Sequence, residues 1–391
     1  MTGTEKDQTD FSNKRIMTDC GTRRPFSSGH SMYSRMHSHG HTGRLREGMR
    51  TRKMPKIKNS FKELYKKLLT NQETNIFIAA IKLGIFRELS YWKSSEELAE
   101  KHNFDPENTA VIMNSLASLD LIEKKKGLFR NLPAAEEFLA SNDDTYLGEF
   151  FLSSFRWYNL SSDDICSLVK YGPDKCMHKN KTESEGIWAE QAELSVNYQR
   201  AGMVQLASRI VSSLPEFGSF RKMLDLGCGP GLFGISIAMG HPSMNAVLFD
   251  RPAVSKVAER LIGEYGMEDR VKAVGGDYIN DPLGKNYDLV WASMTLNFAG
   301  DSLNDVIKKV CDSLNPGGVF VSFSDGKTNG GTKPKEMVLG TLMPALYGND
   351  MGLNEGVIAG AMLKEGFKSV HSRAVMTPVG EVMVDTARKE V

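Results

Sequence analysis

The chain has 391 residues, 40% of them apolar and 25% charged, with a formal net charge of +1. That length allows two or three domains around a large core, and the composition is that of an ordinary globular protein. The charge is uneven: residues 1–60 hold 13 Lys or Arg against 5 Asp or Glu, which leaves −7 on the rest and argues against a broad nucleic-acid surface there.

The five cysteines, Cys20, Cys166, Cys176, Cys228 and Cys311, are odd in number and form no CxxC pair. Neither a zinc ribbon nor a disulfide framework is therefore indicated, no metal site is expected, and a reducing cytoplasm is the expected location. No apolar run approaches the roughly 18 residues of a membrane span, and the first ten residues do not read as a secretory signal.

Residues 1–58 are rich in Ser, Thr, Gly, Arg and His without an apolar period, and read as a disordered basic tail. His37, His39 and His41 form a short histidine tract within it, read as part of the tail ahead of a weak metal-binding tract. Residues 59–135 turn helical. Phe61, Leu64, Leu68 and Leu69 share one face of the first helix, SSEEL opens a capped helix, and Pro106 sits in the first turn of the next. With a short hairpin around Gly127, residues 72–132 or so read as a winged-helix-like unit. The third helix offers Glu107, Asn108 and Asn114 but no Lys or Arg, so this unit is expected to pack or dimerise and not to read nucleic acid.

Residues 136–218 read as a helical linker ending in YQRAGMVQLASRIVSSL, expected to be one amphipathic helix. From residue 219 to 391 short apolar runs alternate with helices: KMLDLG, NAVLFD, RVKAVGGD, YDLVWAS and GGVFVSFSD, then KSVHSRAV and GEVMVDTAR as an edge hairpin. This pattern predicts an α/β fold with a mostly parallel, Rossmann-like sheet of seven strands.

The sharpest motif is MLDLGCGPGLFG, residues 223–234. A strand ends at Asp225, and Gly227, Gly229 and Gly231 let the backbone pass close to a ligand. GxGxxG at Gly229, Gly231 and Gly234 is formally a dinucleotide fingerprint. A carboxylate at the strand end would instead repel a pyrophosphate and suit a ligand with an ammonium and a sulfonium, such as S-adenosylmethionine. Asp250 ends the second strand, placed to accept ribose hydroxyls, with Arg251 beside it. Gly276, Asp277 and Tyr278 leave the third strand where an adenine would lie.

AAIKLGIFREL, SSEELAEKHNFDPENTAVIMNSLASLDLIE, LDLGCGPG, FDRPAV, RVKAVGGDY and LNPGG together resemble the small-molecule O-methyltransferases of the hydroxyindole and caffeate type, over residues 60–390 or so. The resemblance implies a class I methyltransferase domain behind a winged-helix dimerisation domain, S-adenosylmethionine as cofactor and a homodimer. It implies that Asp225, Gly227, Gly229, Gly231, Asp250, Arg251, Gly276, Asp277, Tyr278 and Ser293 hold the cofactor. It also implies an acceptor pocket that includes Trp157, Met203, Met294, Met343 and Tyr347, methionine being adaptable to flat apolar ligands.

One departure stands out. Where the family often carries a catalytic histidine, TLNFAGD has Asn297, an amide that can orient a hydroxyl but cannot take its proton. Three readings follow: a methyltransferase with Asn297 positioning an acidic hydroxyl, a thiol, a carboxylate or a carbon; a substitute base at Asp301, Asp325 or His371; or a cofactor-binding relative, regulatory or decarboxylase-like, that donates no methyl. The family's supporting acid is matched only poorly, by Asp350.

Overall fold

The structure, a computed structural model, describes residues 54–141, 143–173, 184–324 and 326–390. The histidine tract lies outside the described residues. The chain divides into two units, Met1–Ser60 and Phe61–Val391, and the described part of the first, residues 54–60, holds no helix or strand.

The second unit opens with helices α1 (Lys62–Lys82), α2 (Ile85–Glu88), α3 (Ser95–His102) and α4 (Pro106–Ser118), and a hairpin of strands β1 (Ile122–Lys125) and β2 (Leu128–Asn131). Local chemistry sets the starts of these helices. The Ser94 hydroxyl accepts from Glu97 N at 3.2 Å while the Glu97 carboxylate accepts from Ser94 N at 2.6 Å, a reciprocal cap that begins α3. Asp105 accepts from Asn108 N at 2.8 Å and Pro106 follows it, which begins α4. Phe86, Leu98, Met113, Leu116, Ile122 and Phe129 close a small core of their own. Only the C-terminal part of α1 joins it. Phe61, Leu64, Tyr65 and Leu68 at its start are 73%, 74%, 55% and 69% exposed.

Helices α5 (Gly148–Tyr158), α6 (Ser162–Tyr171) and α7 (Glu185–Tyr198) lead to a π turn (Gln199–Met203) and α8 (Val204–Ser212). The single amphipathic helix expected from Tyr198 onward is thus broken. Ala201 and Gly202 leave helical geometry, Gly202 at φ +108°, a conformation that glycine adopts without the clash a Cβ would cause.

Next come β3 (Lys222–Leu226), α9 (Leu232–Met239), β4 (Asn245–Asp250), α10 (Pro252–Glu264), β5 (Val271–Gly275), β6 (Tyr287–Ser293), α11 (Leu303–Ser313), β7 (Leu314–Ser324), α12 (Lys335–Gly340), α13 (Leu342–Leu346), α14 (Val357–Lys364), β8 (Phe367–Thr377) and β9 (Gly380–Lys389). The sheet has seven strands in the order β5-β4-β3-β6-β7-β9-β8. The first five are parallel; β9 runs antiparallel to both β7 and β8, so the hairpin docks by its second strand and leaves β8 at the edge.

Side chains alternate across the sheet with the period of two that strand geometry imposes. Leu289 and Trp291 face the core shared with α8, α9 and α10, while Val290 and Ala292 face the core shared with α11 and α14. Because both faces are covered, the strands are apolar almost throughout. From β3 the chain steps to β4 on one side, and β6 lies on the other. That change of direction opens a crevice at the C-terminal ends of the central strands.

Candidate active site

The glycine loop follows β3. Gly227, Gly229 and Gly231 sit at φ +65°, +55° and +81°, in the left-handed region where a Cβ is penalised. Close approach adds a second constraint at Gly227, where a Cβ would collide with the Thr295 side chain from the β6 exit. Gly234 has a different cause. Its absent Cβ makes room for Leu248 and for the Asp225 carboxylate, so this last glycine of GxGxxG serves helix-on-strand packing.

Asp225 is fully buried beneath the loop, where its Oδ2 accepts from Gly234 N at 2.8 Å in the first turn of α9. Burial pushes its carboxyl up to about 7, against the pull of that hydrogen bond and with a small push from Asp250. Its Oδ1 has no partner. Asp250, at the end of β4, accepts from Gly229 N at 2.8 Å and Arg251 N at 2.7 Å, and burial raises its pKa too. Burial also keeps the Cys228 thiol neutral, which removes it as a nucleophile.

At the β5 exit the Asp277 carboxylate accepts from Ile279 N at 2.9 Å and from the Asn280 side chain at 2.7 Å. The Tyr278 hydroxyl donates to the Thr295 carbonyl at 2.9 Å. Burial raises the Tyr278 phenol, so it stays a donor. At the β6 exit Met294 adopts φ +50°, unusual for a residue with a side chain, and turns the chain into a 3₁₀ turn (Leu296–Phe298).

These loops surround a cavity of about 240 Å³, lined by Gly227, Gly229, Asp250, Arg251, Gly276, Asp277, Tyr278, Ser293 and Met294 among the sequence candidates. Asp225 and Gly231 lie below it as supports and do not line it. The expectation that Asn297 meets the acceptor is not carried by the geometry. In a 3₁₀ turn residues three apart eclipse; Thr295 and Phe298 both line the cavity, and Asn297 between them is rotated off its wall, with its Oδ1 buried and unpartnered. Four pocket candidates also lie elsewhere. Trp157, on α5, is 46% exposed; Met203 is 2% exposed and fills the main core; Met343 and Tyr347 belong to the segment around α13, which packs against α6.

The substitute bases fare no better. Asp301 and His371 are exposed and off the cavity wall, and Asp325 lies outside the described residues. Asp350 is held by Lys327 Nζ at 3.0 Å and by Gly352 N at 2.9 Å, as a brace of its own loop. Among the described residues lining the cavity there is no histidine.

The face that sequence reasoning missed belongs to α7 and the π turn. Trp188, Ala192, Ser195 and Gln199 recur at helical spacing and all line the cavity, a period legible in the sequence once Glu185 is known to start the helix. Glu185 fixes this helix against α10, accepting from Ala253 N at 3.1 Å and pairing with Arg251 at 3.3 Å. Trp188 meets the Phe298 ring edge-on at 5.1 Å, with the Arg251 guanidinium 5.6 Å from the Trp188 ring. Gln199 is 8% exposed and its Oε1 has no partner, a state that costs about 1–3 kcal/mol until a donor arrives.

The donors and acceptors decide what fits. Around the glycine loop stand two carboxylates and an unpartnered amide oxygen, a set that accepts hydrogen bonds and favours positive charge. A cavity bordered by Gly227 and Gly229, acidic ends on β3 and β4, and a polar β5 exit accommodate the ammonium, sulfonium and nucleoside of S-adenosylmethionine. Fold and site together define a class I methyltransferase.

Residues 185–347 match the model of a family described as an O-methyltransferase domain. Over that stretch the chain is similar to O-methyltransferases of the hydroxyindole and caffeate type, and S-adenosylmethionine is its cofactor. It is 25% identical over 256 residues to the N,N-dimethyltransferase OxyT of Streptomyces rimosus, covering 63% of this chain and 72% of that protein. It is 24% identical over 259 residues to the 3-hydroxy-5-methyl-1-naphthoate 3-O-methyltransferase of Streptomyces sahachiroi, covering 64% and 72%. The fold is similar to the crystal structure of human N-acetylserotonin methyltransferase in complex with SAM, with a TM-score of 0.68 at 16% identity over 86% of this chain and all of that one.

Proposed function

We propose that this methyltransferase acts on an acidic hydroxyl of a small, flat acceptor that lies beside Trp188 and Phe298. The observation that carries this reading is the β6 wall of the cavity: Ser293, Met294, Thr295 and Phe298, without an imidazole. When bound, the cofactor supplies an activated methyl group for in-line transfer to an acceptor oxygen. The chain's own part is then to position and to exclude water. Trp188 and Phe298 present ring surface to a planar molecule, Met294 adapts to its outline, and the Ser293 and Thr295 side chains lie on the same wall. A general base contributes about 10²–10⁴-fold in rate, so an acceptor that ionises near neutral pH needs it least.

The cofactor roles follow the cavity. Gly227 and Gly229 border the amino-acid end, Asp250 the ribose, and Gly276, Asp277, Tyr278 and Ser293 the base. Arg251 serves by fixing Trp188 and Glu185. Asp225 and Gly231 act from below, by charge and by loop geometry.

The N-terminal helices and hairpin are read as a winged-helix-like dimerisation domain, residues 59–135, with 136–218 as linker and 219–391 as the methyltransferase domain. The apolar stripe of Phe61, Leu64 and Leu68 on α1 supports a homodimer. A small-molecule acceptor and a second copy of the chain, not nucleic acid, are the partners of this reading. Among the described residues Cys166, Cys228 and Cys311 are free thiols, and a reducing cytoplasm is the location of this reading. Among the described residues no helix is long and apolar enough to cross a membrane.

The test is formation of S-adenosylhomocysteine with hydroxylated arenes graded in acidity. Turnover is expected to rise as the acceptor hydroxyl becomes more acidic, with a pH profile that follows the acceptor. A profile with one constant midpoint across the series, kept in Asp225→Asn, would mean that a base of the enzyme sets the rate and would overturn the proposal.

A further inference from the structure

We propose that Gln199 is a direct ligand of the cofactor, its side-chain oxygen accepting a hydrogen bond from the ammonium of the amino-acid end. The inference rests on the cofactor assignment above and adds a residue from the helical segment before the sheet.

Gln199 is more than nine-tenths buried, lines the cavity and leaves Oε1 without a partner. Its place is set by its neighbour. Arg200 turns the other way, donating to the Tyr265 hydroxyl at 2.9 Å, to Asp144 at 2.9 Å and to Glu264 at 3.1 Å. With Arg200 clamped to α10, Gln199 is turned into the cavity. There its Nε2 lies 3.9 Å from the point where a Cβ on Gly229 would stand, so the amide hangs over the middle of the glycine loop. The π turn that begins at Gln199 replaces a regular turn of helix at this point.

The chemistry of the loop selects the ligand group. Asp250 holds Gly229 N from one side at 2.8 Å, Asp225 lies beneath, and Gln199 comes from the helical side. Asp225 sets a negative field from beneath the loop and Gln199 Oε1 offers an open acceptor at the cavity, while Asp250 is left to the ribose. A positively charged donor suits this end of the loop; an anion does not.

The experiment is calorimetry with S-adenosylhomocysteine, which has the amino-acid end, and 5′-methylthioadenosine, which lacks it. The variants are Gln199→Leu and Gln199→Glu, each checked by thermal unfolding. Gln199→Leu is expected to weaken S-adenosylhomocysteine by about ten- to a hundredfold and to leave 5′-methylthioadenosine within about twofold, because only the charge-assisted bond is lost. Gln199→Glu keeps an acceptor and is expected to retain S-adenosylhomocysteine binding. Equal losses for both ligands, or none for S-adenosylhomocysteine in Gln199→Leu, would overturn the proposal. If Gln199→Leu does not fold, loss of S-adenosylhomocysteine binding in folded Gln199→Glu overturns it, and retention supports it. Wild-type protein that binds neither ligand would instead refute the cofactor assignment itself.

Discussion

Asp225 and Gly234, nine residues apart, are joined by a 2.8 Å hydrogen bond from the helix amide to a fully buried carboxylate. The bond closes the glycine loop from below and places a titratable charge under the ligand cradle. It also makes the loop pH-sensitive. Burial raises the Asp225 carboxyl from 3.8 to about 7, so the folded, ligand-free protein favours the protonated form. The stabilising contribution is full below pH 4 or so and is lost as pH rises through 7. The Tm of the ligand-free protein should therefore fall over that window through this group. A cationic ligand favours the ionised form, so binding should release protons near pH 6. Calorimetry in buffers of different ionisation enthalpy reads this directly, and Asp225→Asn should abolish it. Proton release unchanged in Asp225→Asn would show that another group titrates.

Gly234→Ala tests the packing role of the last glycine in the motif. Its Cβ would collide with Leu248 and come within 2.9 Å of Asp225 Oδ2. Overpacking of this kind costs about 1–3 kcal/mol, so a clear drop in denaturant midpoint is expected. A midpoint equal to wild type would mean that α9 has slack against the sheet.

Asp250→Ala removes the acceptor that holds Gly229 N and faces the cavity. Cofactor affinity should fall by about tenfold or more, the usual worth of a hydrogen bond to a charged group. Wild-type affinity by calorimetry would remove Asp250 from the site.

Asn297 and Phe298 should separate cleanly. Asn297→Ala is expected to change kcat/KM by less than about threefold, because its side chain is rotated off the cavity wall, whereas Phe298→Ala should raise the acceptor KM by about tenfold through lost ring contact. A loss near a hundredfold in Asn297→Ala would restore it as the positioning residue.

Leu64→Glu with Leu68→Glu addresses the exposed stripe on α1. Each side chain is about seven-tenths exposed in the single chain. Light scattering should show a dimer for wild type and a monomer for the double variant; wild-type protein that is monomeric at micromolar concentration would end the dimer reading.

The sequence by itself determined the class of the protein. Strand alternation, the left-handed glycines of GCGPG and the acids at the ends of KMLD and NAVLFD are constraints felt within a few residues, so they survive in a bare string. The capped start in SSEEL and the helix start marked by Pro106 were legible for the same reason. What the string could not carry was orientation. The 3₁₀ turn after β6 takes Asn297 off the wall and puts Phe298 on it, and a one-residue step of such a turn rotates a side chain by a third of a circle. The break at Gly202, the clamp on Arg200 and the salt bridge from Glu185 aim Trp188 and Gln199 at the glycine loop from more than twenty residues upstream of it. Met203, Met343 and Tyr347 looked like pocket residues by segment, yet packing sent one into the core and the others to a different face. Tertiary structure decided these points because side-chain direction depends on contacts between elements distant in sequence, and no local pattern records them.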